Sequence, residues 1–269
     1  DQPRTARVSA HQVFAAPTNY GEEGTASFLK LDRAGGGTTE RFLTLPRADK
    51  PEYLFEGDLE IGSYTVRSYQ RTCPPASCRP THGAAEPSDD EDYLDPPSAV
   101  CRGRFQLEQG HPVAVLVVLD PLTASCDVHT GPPPDRLTRF LIEAGIPAID
   151  LPAKELPTKA PLLRRDRRKL SAKLRPTAGV RVILGEDALG HIYRFGSERI
   201  AQAAAPAFLQ DSGDNGVSGC GRHIYFTDAR RVPRDDLLRR DPSWEQEIQS
   251  ALERVDPSCR AGGNLLVTP

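Results

Sequence analysis

Alternation dominates the first half of the chain. "ARVSAHQVFAA" and "TASFLKLDR" place apolar residues at every second position, and the second runs into the turn "AGGGTT". A period of two sends successive side chains to opposite faces of a strand. "RFLTLPR" and "YLFEGDLEIGSYTVRSYQR" continue the pattern. In the latter, Tyr64, Val66 and Ser68 face one way and Thr65, Arg67 and Tyr69 the other. "CRGRFQLEQGHPVAVLVVLD" predicts a hairpin turning at Gln109-Gly110. Short strands separated by Gly and Pro predict an all-β antiparallel sandwich over residues 1–130.

The pattern changes after "HTGPPPDRL", where three consecutive prolines stiffen the chain and remove donors. Residues 131–136 are the expected linker. Asp135 is expected as the N-cap or first-turn acid of an amphipathic helix, "RLTRFLIEAG", that ends at Gly145. "IPAIDLPAKELPTKAP" is proline-spaced and reads as extended. "GVRVILGED" and "LGHIYRFGS" predict two strands joined by "GEDALG". "SERIAQAAAPAFLQ" predicts a helix capped by Ser197 and ended or kinked at Pro206. "DSGDNGVSGCG" reads as a loop, "RHIYFTD" as a strand, and "ARRVPRDDLLRRD" and "SWEQEIQSALERV" as helices. Strands and helices mix without a regular βαβ alternation, so an α+β domain is expected over residues 137–269.

Charge supports the division. The net charge of −3 divides into −7 over residues 1–134 and +4 over residues 135–269. Charged residues make up 26% of the chain and the apolar set 38%, a composition that excludes a wholly disordered chain. The longest apolar run, "VAVLVVL", is strand length, so no membrane span is expected. The chain begins at Asp1 and lacks methionine, which suggests a removed leader. Its six cysteines, Cys73, Cys78, Cys101, Cys126, Cys220 and Cys259, divide four and two between the halves. An even count in a processed chain suits disulfides in an oxidising compartment. "CPPASC" has no matching second pair, so no metal is expected there. The acidic stretch from Glu86 to Asp95 places Asp89, Asp90, Glu91 and Asp92 consecutively, without the alternate spacing of a calcium loop. "LLRRDRRKLSAKLRP" is basic but has no interleaved aromatic residue. It reads as a solvated helix face and not as a nucleic-acid surface.

"FEGDLEIGSYTVRSYQRTC" followed by "YLDPPSAVCRGRFQLEQGHPVAVLVVLD" resembles the transthyretin-like (carboxypeptidase-regulatory-like) β-sandwiches. The cysteine pattern within it is similar to a version found in secreted actinobacterial proteins. The resemblance covers roughly residues 7–127 and implies an extracytoplasmic accessory or binding domain. Four cysteines allow three connectivities. Cys78–Cys101 with Cys73–Cys126 is the expected set, because it ties loop ends to the sandwich. Cys220–Cys259 is expected to fasten the last helix to the entry of "RHIYFTD".

One constellation raises the question of chemistry. "HIYRFGS", "GRHIYFTD" and "WEQE" follow the order of residue types in ADP-ribosyltransferases, which they resemble. That resemblance implies that His191 or Arg194 grips NAD, Tyr225 stacks on nicotinamide and Glu247 offsets positive charge at the sugar. The simpler expectation makes His191 and His223 exposed or hydrogen-bonded strand ends, and Tyr193, Phe195, Tyr225 and Phe226 sheet residues. No P-loop, "H-E-x-x-H", "G-x-G-x-x-G" or "G-x-S-x-G" occurs. The sequence therefore predicts a secreted or cell-surface bacterial binding or accessory protein. Its partner would be a protein or cell-envelope ligand, and it would have no cofactor. The alternative is a divergent ADP-ribosyltransferase-like enzyme using NAD.

Overall fold

A computed structural model describes residues 4–14, 24–45, 53–73, 81–83, 97, 99–120, 124–158, 170–185, 188–209, 217–228 and 243–261. The chain falls into two compact units, Asp1–Pro134 with Ile142–Pro147, and Asp135–Leu141 with Ala148–Pro269.

The first unit is built from nine strands: β1 (Thr5–Phe14), β2 (Gly24–Arg33), β3 (Thr38–Leu45), β4 (Tyr53–Glu60), β5 (Gly62–Cys73), β6 (Thr81–Gly83), β7 (Val100–Leu107), β8 (Val113–Asp120) and β9 (Ser125–Gly131). They form a four-stranded sheet in the order β4-β1-β8-β9 and a five-stranded sheet in the order β6-β3-β2-β5-β7. Pairing is antiparallel except between β1 and β8. The alternation in β1 buries Ala6, Val8 and Ala10 and leaves Arg7 exposed. Those three residues share one apolar cluster with Val115 and Val117 of β8, Leu29 and Leu31 of β2, Tyr64 and Val66 of β5, and Phe105 and Leu107 of β7. Tyr64 stacks on Phe105 with ring centroids 5.1 Å apart. The inner faces of both sheets therefore contribute to one core, and its burial is the main stabilising term of the unit.

Three details differ from the sequence expectation. Gln109-Gly110 does form a turn, with Gly110 at φ +74°, but β7 and β8 enter different sheets. Only the Glu108–His111 bridge joins them there. The reason is the burial of β8, whose residues Val115–Asp120 are all covered and which pairs with β1 in parallel. "SCDVHTG", to which the sequence pattern assigns no strand, is β9. Cys101 is joined to Cys126, not to Cys78, and this also removes the expected Cys73–Cys126 bridge. Cys101 lies on β7 and Cys126 on β9, which are edge strands of the two sheets. Their Cα atoms approach to 5.3 Å, a separation a disulfide spans. Cys78 and the acidic loop lie outside the described residues.

The second unit contains α1 (Arg136–Glu143, of which residues 136–141 belong here), β10 (Ala148–Asp150), β11 (Ala178–Gly185), β12 (Ala188–Arg194), α2 (Glu198–Ala204), α3 (Pro206–Leu209), β13 (Val217–Cys220), β14 (His223–Asp228) and α4 (Ser243–Val255). The strands form one antiparallel sheet in the order β10-β11-β12-β14-β13. β13 falls in the stretch expected to be a loop. It forms a hairpin with β14 through the two-residue turn Gly221-Arg222. Of the basic run, residues 170–176 are described. They contain a single 3-10 turn, Ala172–Leu174, in place of the expected helix. The "ARRVPRDDLLRRD" helix lies outside the described residues.

Both sheet faces are covered. Tyr193 and Ile224 on one face cluster with Phe195 and with Ala201, Ala204 and Phe208 of α2 and α3. The opposite face carries Val180, Ile192 and Tyr225 in one row and Ala178, Arg194 and His223 in the next. On α4, Ile248, Ala251 and Leu252 are buried at helical spacing, and Arg254 stacks over Phe140 of α1 at 3.8 Å.

Two measurements check the first unit. Peptide mapping of the unreduced protein is expected to recover Cys101 linked to Cys126. Recovery of Cys101 linked to Cys78 would overturn the assignment. Gly103 of β7 lies two residues beyond Cys101, where a Cβ would come within 2.6 Å of Val128 Cγ1 on β9. Gly103→Ala is expected to destabilise the protein by about 1–3 kcal/mol through overpacking, seen as a lower urea midpoint. Val128→Ala in the same chain should recover part of the loss.

Candidate functional site

α1 begins at one edge of the second unit's sheet because two carboxylates hold it there. Asp135 Oδ1 accepts from the Thr138 amide at 2.9 Å, the N-cap bond that the sequence predicts. Asp150 of β10 accepts from the Asp135 amide at 2.7 Å and from Thr138 Oγ1 at 2.6 Å. Burial raises the Asp150 carboxyl above its ordinary range, opposed by those same bonds from Thr138 and the Asp135 amide.

A second joint lies at the end of α4. Asp256 Oδ1 accepts from Ser258 Oγ at 2.6 Å and from the Ser258 amide at 3.2 Å, and Oδ2 accepts from the Arg222 amide at 3.3 Å. The carboxylate thus connects the helix end to the β13–β14 turn. Cys220–Cys259 crosses the same gap, as the sequence predicts. Gly221 is required at this turn. Its φ is +52°, and a Cβ there would lie 2.8 Å from Asp256 Oδ2.

His223 follows the turn and faces Asp256, with Nδ1 3.4 Å from Oδ2 but without the alignment of a hydrogen bond. The histidine is 2% exposed, against the sequence expectation of an exposed or hydrogen-bonded strand end. The Asp256 joint and the disulfide, which bring the end of α4 onto the start of β14, account for the difference. Burial lowers its pKa to about 4, outweighing the Asp256 carboxylate, which favours the charged ring. Burial raises the Asp256 carboxyl, but the hydrogen bonds from Ser258 and Arg222, with His223 beside it, bring it below its ordinary value.

Between the two joints lies a cavity of about 280 Å³. Asp135, Arg136, Arg194, Arg222 and His223 supply its polar lining, and Val180, Ile192 and Val255 its apolar lining. Arg222 Nε pairs with Asp256 at 3.5 Å, and Arg136 lies over the Phe140 ring at 5.4 Å. The guanidinium of Arg194 makes no hydrogen bond or ion pair to any described residue. His223, Asp256 and Cys259 carry donor atoms within 4.8 Å of one another. The Cys259 sulfur is held in the disulfide, however, so the trio does not offer a thiolate to a metal.

The four residues of the NAD alternative do not assemble here. Arg194 and Tyr225 share one face of the sheet, and of the four only Arg194 lines the cavity. His191 lies on the opposite face, stacked on Tyr193 at 5.9 Å. Glu247 is exposed on α4. Sequence reasoning missed Asp135 as a lining group, and also Asp150, Arg222 and Asp256. Asp135 was legible as a cap. The others become neighbours only through the sheet order and the disulfide.

The low pKa of His223 has a linkage consequence. The unfolded chain takes up this proton near pH 6.5, whereas the folded chain resists it until about pH 4. Stability from the neutral buried ring is therefore complete above pH 6.5 and is lost as pH falls through that window, by up to about 3 kcal/mol. The ring signals of folded His223 are expected to stay in the neutral form down to about pH 5. A midpoint at or above 6.5 would contradict this. His223→Gln should flatten the fall in unfolding free energy over the same range.

Comparison with protein-family models finds no match, and comparison with curated proteins finds none either.

Proposed function

We propose that the protein is a disulfide-stabilised binding or accessory protein of the bacterial cell surface or extracellular space, acting on a protein or cell-envelope ligand. In this reading the first unit is a transthyretin-like β-sandwich domain. The second is an α+β domain that carries the recognition site. Two sheets sharing one apolar core support the sandwich assignment. The bridges Cys101–Cys126 and Cys220–Cys259 support an oxidising compartment. No helix among the described residues is long and apolar enough to cross a membrane.

The observation that carries the binding role is the chemistry of the cavity lining. It contains His223, whose Nδ1 is turned toward Asp256 outside the lining, and no Ser, Thr, Cys or Lys among the described residues, so the histidine has no hydroxyl, thiol or amine to activate there. The carboxylates of Asp150 and Asp256, and one oxygen of Asp135, already accept from the protein's own amides and hydroxyls. Such a lining can hold a ligand and has no group placed to attack one.

Incubation with labelled NAD distinguishes this role from the enzymatic alternative. The binding role predicts no hydrolysis of NAD, no label on the protein, and no rise in melting temperature with NAD. Turnover that Glu247→Gln abolishes would overturn it.

A further inference from the structure

The cavity of the second unit carries an imbalance in how its charges are used. Every carboxylate around it is engaged by the fold. Asp150 anchors the start of α1, Asp135 caps that helix, and Asp256 ties the β13–β14 turn to the end of α4. The cations differ. Arg222 pairs with Asp256 and Arg136 covers Phe140, but Arg194 has no hydrogen bond or ion pair to any described residue. Arg194 is half-buried, on the same sheet row as His223, and lines the cavity with it. Its charge helps to keep the Asp150 carboxyl ionised, but no described carboxylate reaches it at ion-pair distance, so its donors are open to a ligand.

One further feature points to the sign of that ligand. The first residues of α1 line the same cavity, and the amides of Arg136 and Leu137 make no hydrogen bond to described residues. The first amides of a helix have no partner within it, and the helix dipole adds positive potential there. His223 is almost fully buried and lines the same space; its Nδ1 is turned toward Asp256 and its ring is neutral, so it contributes polarity there and not charge. The volume, about 280 Å³, is at the lower edge of small-molecule sites. It suits a small group and not an extended chain.

We propose that this cavity binds an oxyanion, a phosphate monoester or a carboxylate, with the Arg194 guanidinium as the principal donor fork and the start of α1 and Arg222 as supporting positive groups. The planar fork of arginine matches two oxygens of either anion. Asp135, the one carboxylate in the lining, faces the ligand with a single oxygen outside its capping bond and limits the charge the site accepts. The inference rests on the second unit being a recognition module.

The test uses the oxidised full chain with two probes, inorganic phosphate and acetate, each titrated at constant ionic strength against chloride. The readouts are the side-chain nitrogen signals of Arg194 and His223. Saturable shifts with one site per chain are expected for at least one probe. A response to phosphate alone assigns a phosphate ligand. A response to acetate alone assigns a carboxylate, such as a peptide C-terminus. Arg194→Gln should weaken binding about tenfold or more while leaving the melting temperature nearly unchanged, and Arg194→Lys should fall between. Absence of saturable shifts with both probes would overturn the proposal. So would equal affinity in Arg194→Gln. If that variant does not fold, an Arg194 signal in the natural protein that ignores both anions overturns it as well. The assay contains no NAD and reads occupancy, so its failure is distinct from a failure of the binding role.

Discussion

The second unit depends on the Asp256 carboxylate. It lies at the end of α4, accepts from the backbone of the β13–β14 turn, and stands beside the Cys220–Cys259 bridge. A buried carboxylate is stable only when its oxygens are hydrogen-bonded. That requirement fixes the turn, and the turn fixes where β14 starts. The start of β14 places His223 beside Asp256 and brings His223 and Arg222 into the cavity lining. Removing the acceptor would take from the Arg222 amide and Ser258 the partner that ties the turn to the helix end.

Asp150 plays the same part at the other side of the cavity, where it holds the start of α1 over β10. Two local polar joints therefore fix the cavity, while the apolar core beneath supplies most of the stabilisation. The other sheet face packs through Phe195, Phe208 and Tyr193 and carries the Arg181–Glu155 ion pair at 2.9 Å. Both joints lie on the face that carries the cavity.

Much of the fold was legible along the chain. The alternation of β1, β2 and β5, the Asp135 and Ser197 caps, the break at Pro206, and the β11–β12 pairing are local signals, and the structure contains each of them. Long-range choices were not legible. Nothing in "CRGRFQLEQGHPVAVLVVLD" states that its two strands enter different sheets. The deciding factor is the burial of β8 on both faces beside β1. The Cys101–Cys126 pairing follows from that same choice, so an error in one carried into the other. The site was legible only in part. Arg194 and His223 were visible as residues of interest, but the cavity needs Asp150, Arg222 and Asp256. Those positions are far apart in sequence and meet through topology alone.

The bridge between β7 and β9 also has a mechanical meaning. A chain under tension extends, but a disulfide does not lengthen under such loads. The 25-residue separation between Cys101 and Cys126 stores about 85 Å of chain that force cannot release. The 39-residue separation between Cys220 and Cys259 stores about 130 Å more. Under extension, the strand closing the first core and the hairpin bearing His223 would both remain tethered after the surrounding sheet has given way. Oxidation therefore sets how far this protein can be drawn out, as well as how firmly it is folded.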